Sequence, residues 1–228
     1  MTKVFSSWSG GKDCSLALYR TKKDGMDVRY LFNTVTQDGL RSCSHGMSSA
    51  VIRKQAEALG IPIIQRPTTN DTYETEFVNV LRKFKQEGIE GGIFGDIDFN
   101  PHREWIERVC AGAGITPYLP LWLENQKKLM EEFIDAGFIA KVVAVKADIL
   151  GKDVLGRTID RAFLAYLAGL NKNITPCGES GEYHTLVIDG PIFQQRLEFT
   201  ATEKVTRGEY HFLEITGLEL KTKQPSGK

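Results

Sequence analysis

Short apolar segments alternate with amphipathic helical patterns through the first half of the chain, and this alternation constrains the fold more than any other feature. Strands are predicted at residues 4–8, 28–35, 61–65 and 91–95. Helices are predicted between them, for example at 73–86, where apolar residues recur at helical spacing. Short apolar strands that alternate with helices form a parallel sheet covered on both faces. The chain is therefore predicted to be an α/β protein with a Rossmann-like parallel sheet flanked by helices.

The pattern changes near residue 120, at a Pro-Leu-Trp stretch. Beyond it, helical segments around 129–134 and 159–170 are mixed with further predicted strands, the last of them at 210–221. This mixture predicts a second, smaller α+β domain. The predicted division is a first domain over residues 1–122, a second domain over residues 123–220 and a mobile tail over residues 221–228.

Charge and composition argue against several classes of protein. The 228 residues include 29 Lys+Arg and 29 Asp+Glu, so the formal net charge is zero. A neutral chain lacks the positive field that helps nucleic-acid binders, which argues against a nucleic-acid partner. No apolar run approaches the roughly 18 residues of a membrane span, and no secretion signal is recognised. The cysteines are scattered without a C-x-x-C pair, as expected for reduced thiols of a cytoplasmic protein.

A glycine-rich loop follows the first predicted strand. It reads Ser9-Gly10-Gly11-Lys12-Asp13-Cys14-Ser15, and a helix is predicted to begin there. Two consecutive glycines let a backbone turn tightly and approach an anion without a Cβ in the way. The helix N-terminus adds free amides and the positive end of the helix dipole. A plain turn with a good helix cap is the alternative, but the full segment in this position favours a phosphate-binding loop.

The side chains of this loop also suit phosphate chemistry. Ser9 can donate a hydrogen bond from its hydroxyl, and Lys12 can offer a compact positive charge. Asp13 would repel phosphates unless something intervened, so it either holds Mg²⁺ through water or caps the helix. The segment matches neither a G-x-x-x-x-G-K-[ST] loop nor a G-x-G-x-x-G loop. It resembles the S-G-G-x-D-S loop of the N-type ATP pyrophosphatases (PP-loop, HUP-like fold), with Cys14 where most of them carry Ser or Thr.

Several later segments resemble one family within that superfamily. They are Gly95-Asp96-Ile97, Arg103 with Glu107-Arg108-Val109-Cys110, Pro120-Leu121-Trp122 with Asn125-Gln126, Leu155-Gly156-Arg157 with Asp160, Cys177-Gly178-Glu179-Ser180-Gly181-Glu182-Tyr183-His184-Thr185 and Asp189-Gly190-Pro191. In this order they resemble the diphthamide synthetase (diphthine–ammonia ligase) family over about residues 3–200. The glutamate-rich element and the glycine-rich loop are the most specific parts of the resemblance.

This resemblance implies an ATP-dependent, amide-forming ligase of the cytoplasm. Family members adenylate the carboxylate of diphthine, a modified histidine of elongation factor 2, and pass it to ammonia with release of AMP and pyrophosphate. ATP, Mg²⁺ and ammonium are the small molecules implied. Residues 98–102 and Trp105 depart from the family pattern, so the acceptor is either diphthine or a related carboxylate. A homodimer is left open.

The resemblance and the loop chemistry together assign roles to individual residues. Nucleotide binding is expected at Ser9, Gly10, Gly11, Lys12, Asp13, Cys14, Ser15, Asn33, His45, Gly95 and Asp96, and metal binding at Asp13 and Asp96. Substrate binding is expected at Arg103, Glu107, Glu179, Glu182 and Tyr183, because an acidic and aromatic pocket suits the trimethylammonium group of diphthine. Catalysis is expected from Lys12, Asp13, Glu182 and His184. His184 is either a general base toward ammonium or a structural histidine.

Two loops that follow predicted strands, at residues 9–13 and 95–102, are expected to meet in one crevice, because ligands of parallel sheets bind beyond the carboxyl ends of the strands. The segment 179–184 is expected to face the glycine-rich loop across a cleft between the domains.

Other functions compete with this reading. A tRNA-modifying ATP pyrophosphatase is one, although thiolation enzymes often need paired cysteines and the neutral charge counts against RNA. A sulfonucleotide reductase can share the Ser-Gly-Gly-Lys-Asp loop, but its chemistry needs a terminal catalytic cysteine and the last cysteine here is Cys177. A non-catalytic adenine-nucleotide-binding regulator is the third, and it would not require a second acidic cluster.

Overall fold

A five-stranded parallel sheet is built from the first half of the chain. The computed structural model describes residues 1–170 and 172–223. The strands are β1 (Lys3–Ser7), β2 (Asp27–Thr36), β3 (Ile63–Thr68), β4 (Gly91–Ile93) and β5 (Thr116–Tyr118), and the helices between them are α1 (Lys12–Lys23), α2 (Ser49–Leu59), α3 (Tyr73–Gln86) and α4 (Asn100–Ala113). The strand order is β3-β2-β1-β4-β5, and every neighbouring pair is parallel. The predicted α/β class is confirmed.

Both faces of this sheet are buried, as the apolar strands require. On one face, α3 and α4 pack over an aromatic cluster whose members include Phe5, Phe32, Phe77, Phe84 and Phe94. On the other face, α1 and α2 cover a cluster that includes Val4, Leu31 and Ile93. Strand β1 therefore lies at the centre of the sheet with alternate side chains in two different cores.

A four-stranded antiparallel sheet is built from the second half. Its strands are β6 (Ile139–Lys146), β7 (Tyr183–Asp189), β8 (Gln195–Arg207) and β9 (Tyr210–Thr222), in the order β7-β6-β9-β8. Helices α5 (Gln126–Asp135) and α6 (Arg161–Gly169) and a 3-10 turn at Lys152–Val154 accompany it. This half is the smaller α+β unit that the sequence predicts.

Some elements differ from the prediction. Strand β5 is missing from it, because three residues with a central proline give almost no periodic signal. Helix α4 begins at Asn100, so His102 lies on a helix and not in the preceding loop. The predicted tail begins too early, because Lys221 and Thr222 pair with Arg196 and Gln195 in the β8–β9 ladder. Residues 224–228 of that tail lie outside the described residues.

The two sheets share an apolar core. One cluster of buried residues includes Leu16 and Ile52 from α1 and α2 together with Leu186 and Val187 from β7. Arg20 of α1 adds a polar link, since its guanidinium donates to Glu124 and Glu132 and to the carbonyl oxygen of Pro120. The domain boundary near residue 122 stays a prediction, and in the structure apolar packing is continuous across it.

Within residues 1–170 and 172–223, no helix combines the length and the apolar character needed to cross a membrane.

Candidate active site

The loop between β1 and α1 makes a tight turn. Gly10 has φ +84°, a left-handed backbone conformation that glycine adopts without strain. Its carbonyl oxygen accepts hydrogen bonds from Gln55 Nε2 (2.9 Å) and from the amide of Val187 (3.0 Å). A Cβ on Gly10 would lie 2.7 Å from both Gln55 Oε1 and Ile52 Cδ1. The loop is therefore fixed from two sides, by α2 and by β7.

Lys12 is a buried cation at the base of this loop. Its side chain is 5% exposed, and Nζ donates to Asp13 Oδ2 at 2.9 Å. Nζ also lies 5.3 Å from the centroid of the Tyr183 ring. Burial by itself would lower the pKa of Lys12, but the charge of Asp13 and its neighbours outweighs burial and raises it. Lys12 is therefore a permanent positive charge at this point of the molecule.

The polar side chains that follow hold the loop in shape. Ser15 Oγ donates to the carbonyl oxygen of Gly11 at 2.8 Å, and Cys14 Sγ donates to the same oxygen at 3.1 Å. Ser9 Oγ lies 3.5 Å from Cys14 Sγ. Burial raises the pKa of the Cys14 thiol, which is therefore a protonated donor. Cys14 and Ser15 thus bond to the backbone of the loop itself.

A polar cavity of about 180 Å³ lies between this loop and the second sheet. It is lined by Lys12, Asp13, His45, Cys177, Gly178, Glu179, Gly181, Tyr183, His184 and Thr185. The cavity is smaller than typical small-molecule sites, which measure roughly 300–1,000 Å³. The structure thus brings the two most specific sequence motifs into one site.

Thr185 is a lining residue that the sequence reasoning missed. Its Oγ1 accepts a hydrogen bond from the amide of Lys12 at 3.1 Å, and it is buried. That amide belongs to the helix N-terminus that is expected to meet phosphate. Thr185 is the last residue of the glutamate-rich motif, and its place in that motif is the sequence feature that could have identified it as a site residue.

Glu179 and Glu182, both predicted to bind substrate and Glu182 also to act in catalysis, lie in different surroundings. Glu182 is fully buried, does not line the cavity, and accepts hydrogen bonds from Thr175 N (2.7 Å), Thr175 Oγ1 (3.2 Å) and Ser180 N (2.9 Å). It therefore organises the loop. Glu179 lines the cavity, and burial, followed by the charge of Asp13, raises its pKa to about 8.

Two histidines that line the cavity stack on each other. The rings of His45 and His184 have centroids 4.5 Å apart, and His184 continues to Tyr210 at 5.9 Å. Burial, then the charge of Lys12, lowers the pKa of His184 to about 4. Burial, then His184, also holds the pKa of His45 well below its usual value, and His45 Nδ1 is buried without a partner among the described residues. Both imidazoles are therefore neutral at physiological pH.

The loop after β4 meets the glycine-rich loop, as the sequence predicts. A Cβ on Gly95 would lie 2.7 Å from the amide nitrogen of Cys14 and 2.9 Å from the carbonyl carbon of Asp13. Asp96 accepts from His102 Nδ1, and this bond raises the pKa of His102. The two predicted metal ligands, Asp13 and Asp96, are thus each paired with another side chain. Among the described residues, no three His, Cys, Asp or Glu side chains form a ready metal site.

Asn33, Arg103 and Glu107 are among the predicted site residues that do not line the cavity. Asn33 is buried, and its Nδ2 donates to Trp8 O and Ser42 Oγ, both at 2.8 Å. Arg103 Nε donates to Glu107 Oε1 at 2.7 Å, and its guanidinium lies 5.0 Å from the centroid of the Trp122 ring. These side chains already have protein partners, so their assignment to nucleotide or substrate stays a prediction.

A polar bridge joins the segment after β4 to residues 175–182, the loop that carries Glu179 and Glu182 and is called the glutamate loop below. Gln126 Nε2 donates to Asp98 Oδ2 at 2.7 Å, and Gln126 Oε1 accepts from the amide of Cys177 at 3.0 Å. Gln126 was part of the family resemblance without an assigned role. The bridge fixes the start of the glutamate loop, which places Glu179 beside Lys12 and Asp13 in the cavity.

The fold and the cavity define an α/β protein in which a glycine-rich loop from a parallel sheet and a glutamate loop from a second sheet enclose one polar site. The model of the diphthamide synthase N-terminal domain matches residues 2–117, and that of the diphthamide synthase C-terminal domain matches residues 125–220. The chain belongs to the diphthamide synthase family, which confirms the resemblance seen in the sequence.

Curated relatives named diphthine–ammonia ligase are similar to this chain over most of its length. The protein of Rattus norvegicus is 29% identical over 253 residues, covering 98% of this chain and 94% of the relative. That of Danio rerio is 28% identical over 243 residues, covering 93% of this chain and 92% of the relative. That of Schizosaccharomyces pombe is 29% identical over 236 residues, covering 93% of this chain but 39% of a longer relative.

Proposed function

We propose that this protein is an ATP-dependent, amide-forming ligase that adenylates a carboxylate and transfers it to ammonia. The observation that supports this most is the buried Lys12 of the glycine-rich loop, which lines the same cavity as the glutamate loop that precedes β7. A carboxylate is a poor electrophile, and adenylation gives it a good leaving group. The site must therefore hold a triphosphate and a second substrate together.

The phosphates have a natural place at the turn. The amides of Gly10 and Gly11 and the charge of Lys12 would bind the β- and γ-phosphates, so that the α-phosphorus faces the cavity. The amide of Lys12 now donates to Thr185 Oγ1. When ATP binds, a phosphate oxygen would replace Thr185 Oγ1 as the acceptor of this N–H. The charge of Lys12 would also stabilise the departing pyrophosphate.

The second substrate that we propose is diphthine, the substrate in the names of the relatives. We propose that it is carried by elongation factor 2 in the cytoplasm. The Tyr183 side chain at the cavity suits its trimethylammonium group, because aromatic rings attract quaternary ammonium ions. Mg²⁺ would neutralise phosphate charge when it arrives with ATP. Asp13 and Asp96 could hold the ion only after leaving Lys12 and His102. The homodimer stays an open prediction.

The test measures AMP and pyrophosphate with purified elongation factor 2 that carries diphthine, Mg·ATP and ammonium. We expect wild-type protein to form both products together with the amide, and Lys12→Met to reduce pyrophosphate formation by about 100-fold or more, a usual effect of removing a preorganised charge. Lys22→Met, on the exposed side of the same helix, is the matched control and should keep full activity.

Two results would contradict the proposal. One is an absence of adenine-nucleotide binding by calorimetry with Mg²⁺ present. The other is full pyrophosphate release by Lys12→Met, which would remove the glycine-rich loop from the chemistry.

A further inference from the structure

Ammonia attacks a carbonyl carbon only when its nitrogen lone pair is free, and at neutral pH most of it is ammonium. A ligase of the proposed kind therefore needs a base in the cavity where the acyl adenylate forms. The sequence offers His184 for that role. The structure makes both lining histidines poor proton acceptors, since burial and Lys12 lower the pKa of His184 to about 4.

Two carboxylates line the cavity, and their partners differ. Asp13 is paired with Lys12 Nζ at 2.9 Å, so its negative charge is already compensated. The carboxylate of Glu179 takes part in no hydrogen bond or ion pair among the described residues, although the side chain is only partly exposed. A carboxylate that lines the cavity without a protein partner is free to accept a hydrogen bond or a proton from a ligand.

The loop that carries Glu179 is fixed by its own hydrogen bonds. The amide of Glu179 donates to Thr175 Oγ1 at 2.8 Å, and the Thr175 hydroxyl donates in turn to Glu182 Oε2 at 3.2 Å. Glu182 also accepts from the amides of Thr175 and Ser180. Glu182 therefore acts as a positioning residue that holds the backbone on both sides of Glu179.

We infer that Glu179 is the proton acceptor for ammonium in the amide-forming step, an inference that rests on the proposed function. An N–H bond of ammonium breaks, and its proton moves to a carboxylate oxygen of Glu179. The freed lone pair attacks the acyl carbon, and the bond from that carbon to the adenylate oxygen breaks, so AMP leaves with the electron pair. The attached nitrogen loses one further proton to solvent to give the neutral amide, and Glu179 returns its own proton to water.

The charges around Glu179 support this role. Asp13, Asp96 and Asp98 act against ionisation of its carboxyl group, and Lys12 favours ionisation. Burial has the largest effect, and together these raise the pKa of Glu179 to about 8. A carboxylate with a raised pKa is a better base than an ordinary one, and it titrates near the working pH.

The experiment compares two nucleophiles in one variant, Glu179→Gln. Hydroxylamine is largely unprotonated at neutral pH and needs no base to free its lone pair. With diphthine-bearing elongation factor 2, we expect the variant to lose about 100-fold or more in kcat with ammonium, the usual worth of a general base. ATP–pyrophosphate exchange and hydroxamate formation with hydroxylamine should stay within about threefold of wild type.

The pH dependence gives a second readout. Below pH about 8, where Glu179 is largely protonated, the ammonium rate ratio of wild type to Glu179→Gln should stay level, because ionised Glu179 and free ammonia rise together with pH. Above that pH the ratio should fall, because Glu179 is then ionised while free ammonia still increases. Glu203→Gln, an exposed glutamate of β8, is the matched control and should behave as wild type in every assay. Glu179→Asp should recover part of the ammonium rate, since it keeps the carboxylate.

Several outcomes would overturn the inference. Equal losses with both nucleophiles would assign Glu179 to acceptor binding, and loss of pyrophosphate exchange would assign it to adenylation. If Glu179→Gln does not fold, the pH profile of wild-type protein replaces it. The inference is then overturned if the ammonium rate follows the concentration of free ammonia alone and shows the same titrations as the hydroxylamine reaction. If wild-type protein shows no exchange with this substrate, the proposed function itself fails, which is a separate result.

Discussion

A methyl group at Gly95 would have no room, and this single position illustrates how tightly the two loops of the site fit. A Cβ there would meet backbone atoms of Asp13 and Cys14, which cannot rotate away as a side chain could. We expect Gly95→Ala to cost about 1–3 kcal/mol of unfolding free energy through overpacking. It should also weaken ATP binding, because the phosphate-binding amides would shift.

Denaturant unfolding and calorimetric titration with Mg·ATP measure the two effects. Gly112→Ala is the matched control: Gly112 lies in α4 with open space around it, and alanine there should stabilise the helix by up to about 1 kcal/mol. Unchanged ATP affinity in Gly95→Ala would show that the contact with the loop after β4 does not shape the nucleotide site.

The residue scale is also where sequence reasoning reached its limit. Glu179 and Glu182 flank one glycine and look equivalent in the sequence. Their hydrogen-bond partners differ in the folded loop. The carboxylate of Glu182 accepts from three donors of its own loop, whereas Glu179 lines the cavity. No periodicity or motif in the sequence indicates which of the two carboxylates will line the cavity.

At the level of elements, helix α2 supports the glycine-rich loop through one side chain. Gln55 is fully buried; its Oε1 accepts from Trp8 Nε1 at 2.8 Å, and its Nε2 donates to the carbonyl oxygens of Gly10 (2.9 Å) and Val187 (2.7 Å). One amide thus joins β1, the loop and β7. The sequence predicts α2 from its helical spacing but gives no sign that its inner face carries this clamp.

We expect Gln55→Leu to lower the free energy of unfolding by about 2–4 kcal/mol, because it leaves buried donors and acceptors without partners. Chemical denaturation followed by the fluorescence of the buried Trp8 measures the loss. Gln86→Leu, at the exposed end of α3, makes the same chemical change without buried partners and should shift stability by less than about 0.5 kcal/mol. Equal stability of the two variants would disprove the clamp.

Considered as a whole, the molecule has two sheets and two apolar cores, one of which is shared between the sheets. The apolar cluster under α1 and α2 runs into β6 and β7, and the amide of Gln194 donates to Ala58 O at 2.7 Å across the same contact. Apolar burial shared between two units makes each depend on the other.

We therefore expect both sheets to unfold in one transition. Hydrogen exchange read by mass spectrometry should give β1 and β6 peptides the same midpoint in denaturant, as two-state unfolding requires. Peptides from the β8–β9 turn, which is exposed, provide an internal reference for local opening. Two separated midpoints, with β6 unfolding while β1 stays protected, would mean that the units fold independently.

The sequence by itself determined the α/β class, the smaller α+β unit, the glycine-rich loop and the family. These follow from local periodicity and from contiguous motifs such as Ser9–Ser15 and Cys177–Thr185, which depend on residues close together in the chain. Only the tertiary structure decided the partners: Thr185 on the amide of Lys12, Gln126 between Asp98 and Cys177, and Glu179 rather than Glu182 at the cavity. The physical reason is that burial, hydrogen-bond pairing and the resulting pKa values depend on residues far apart in the chain. Lys12 and Glu179, more than a hundred positions apart, come together only when both sheets have packed.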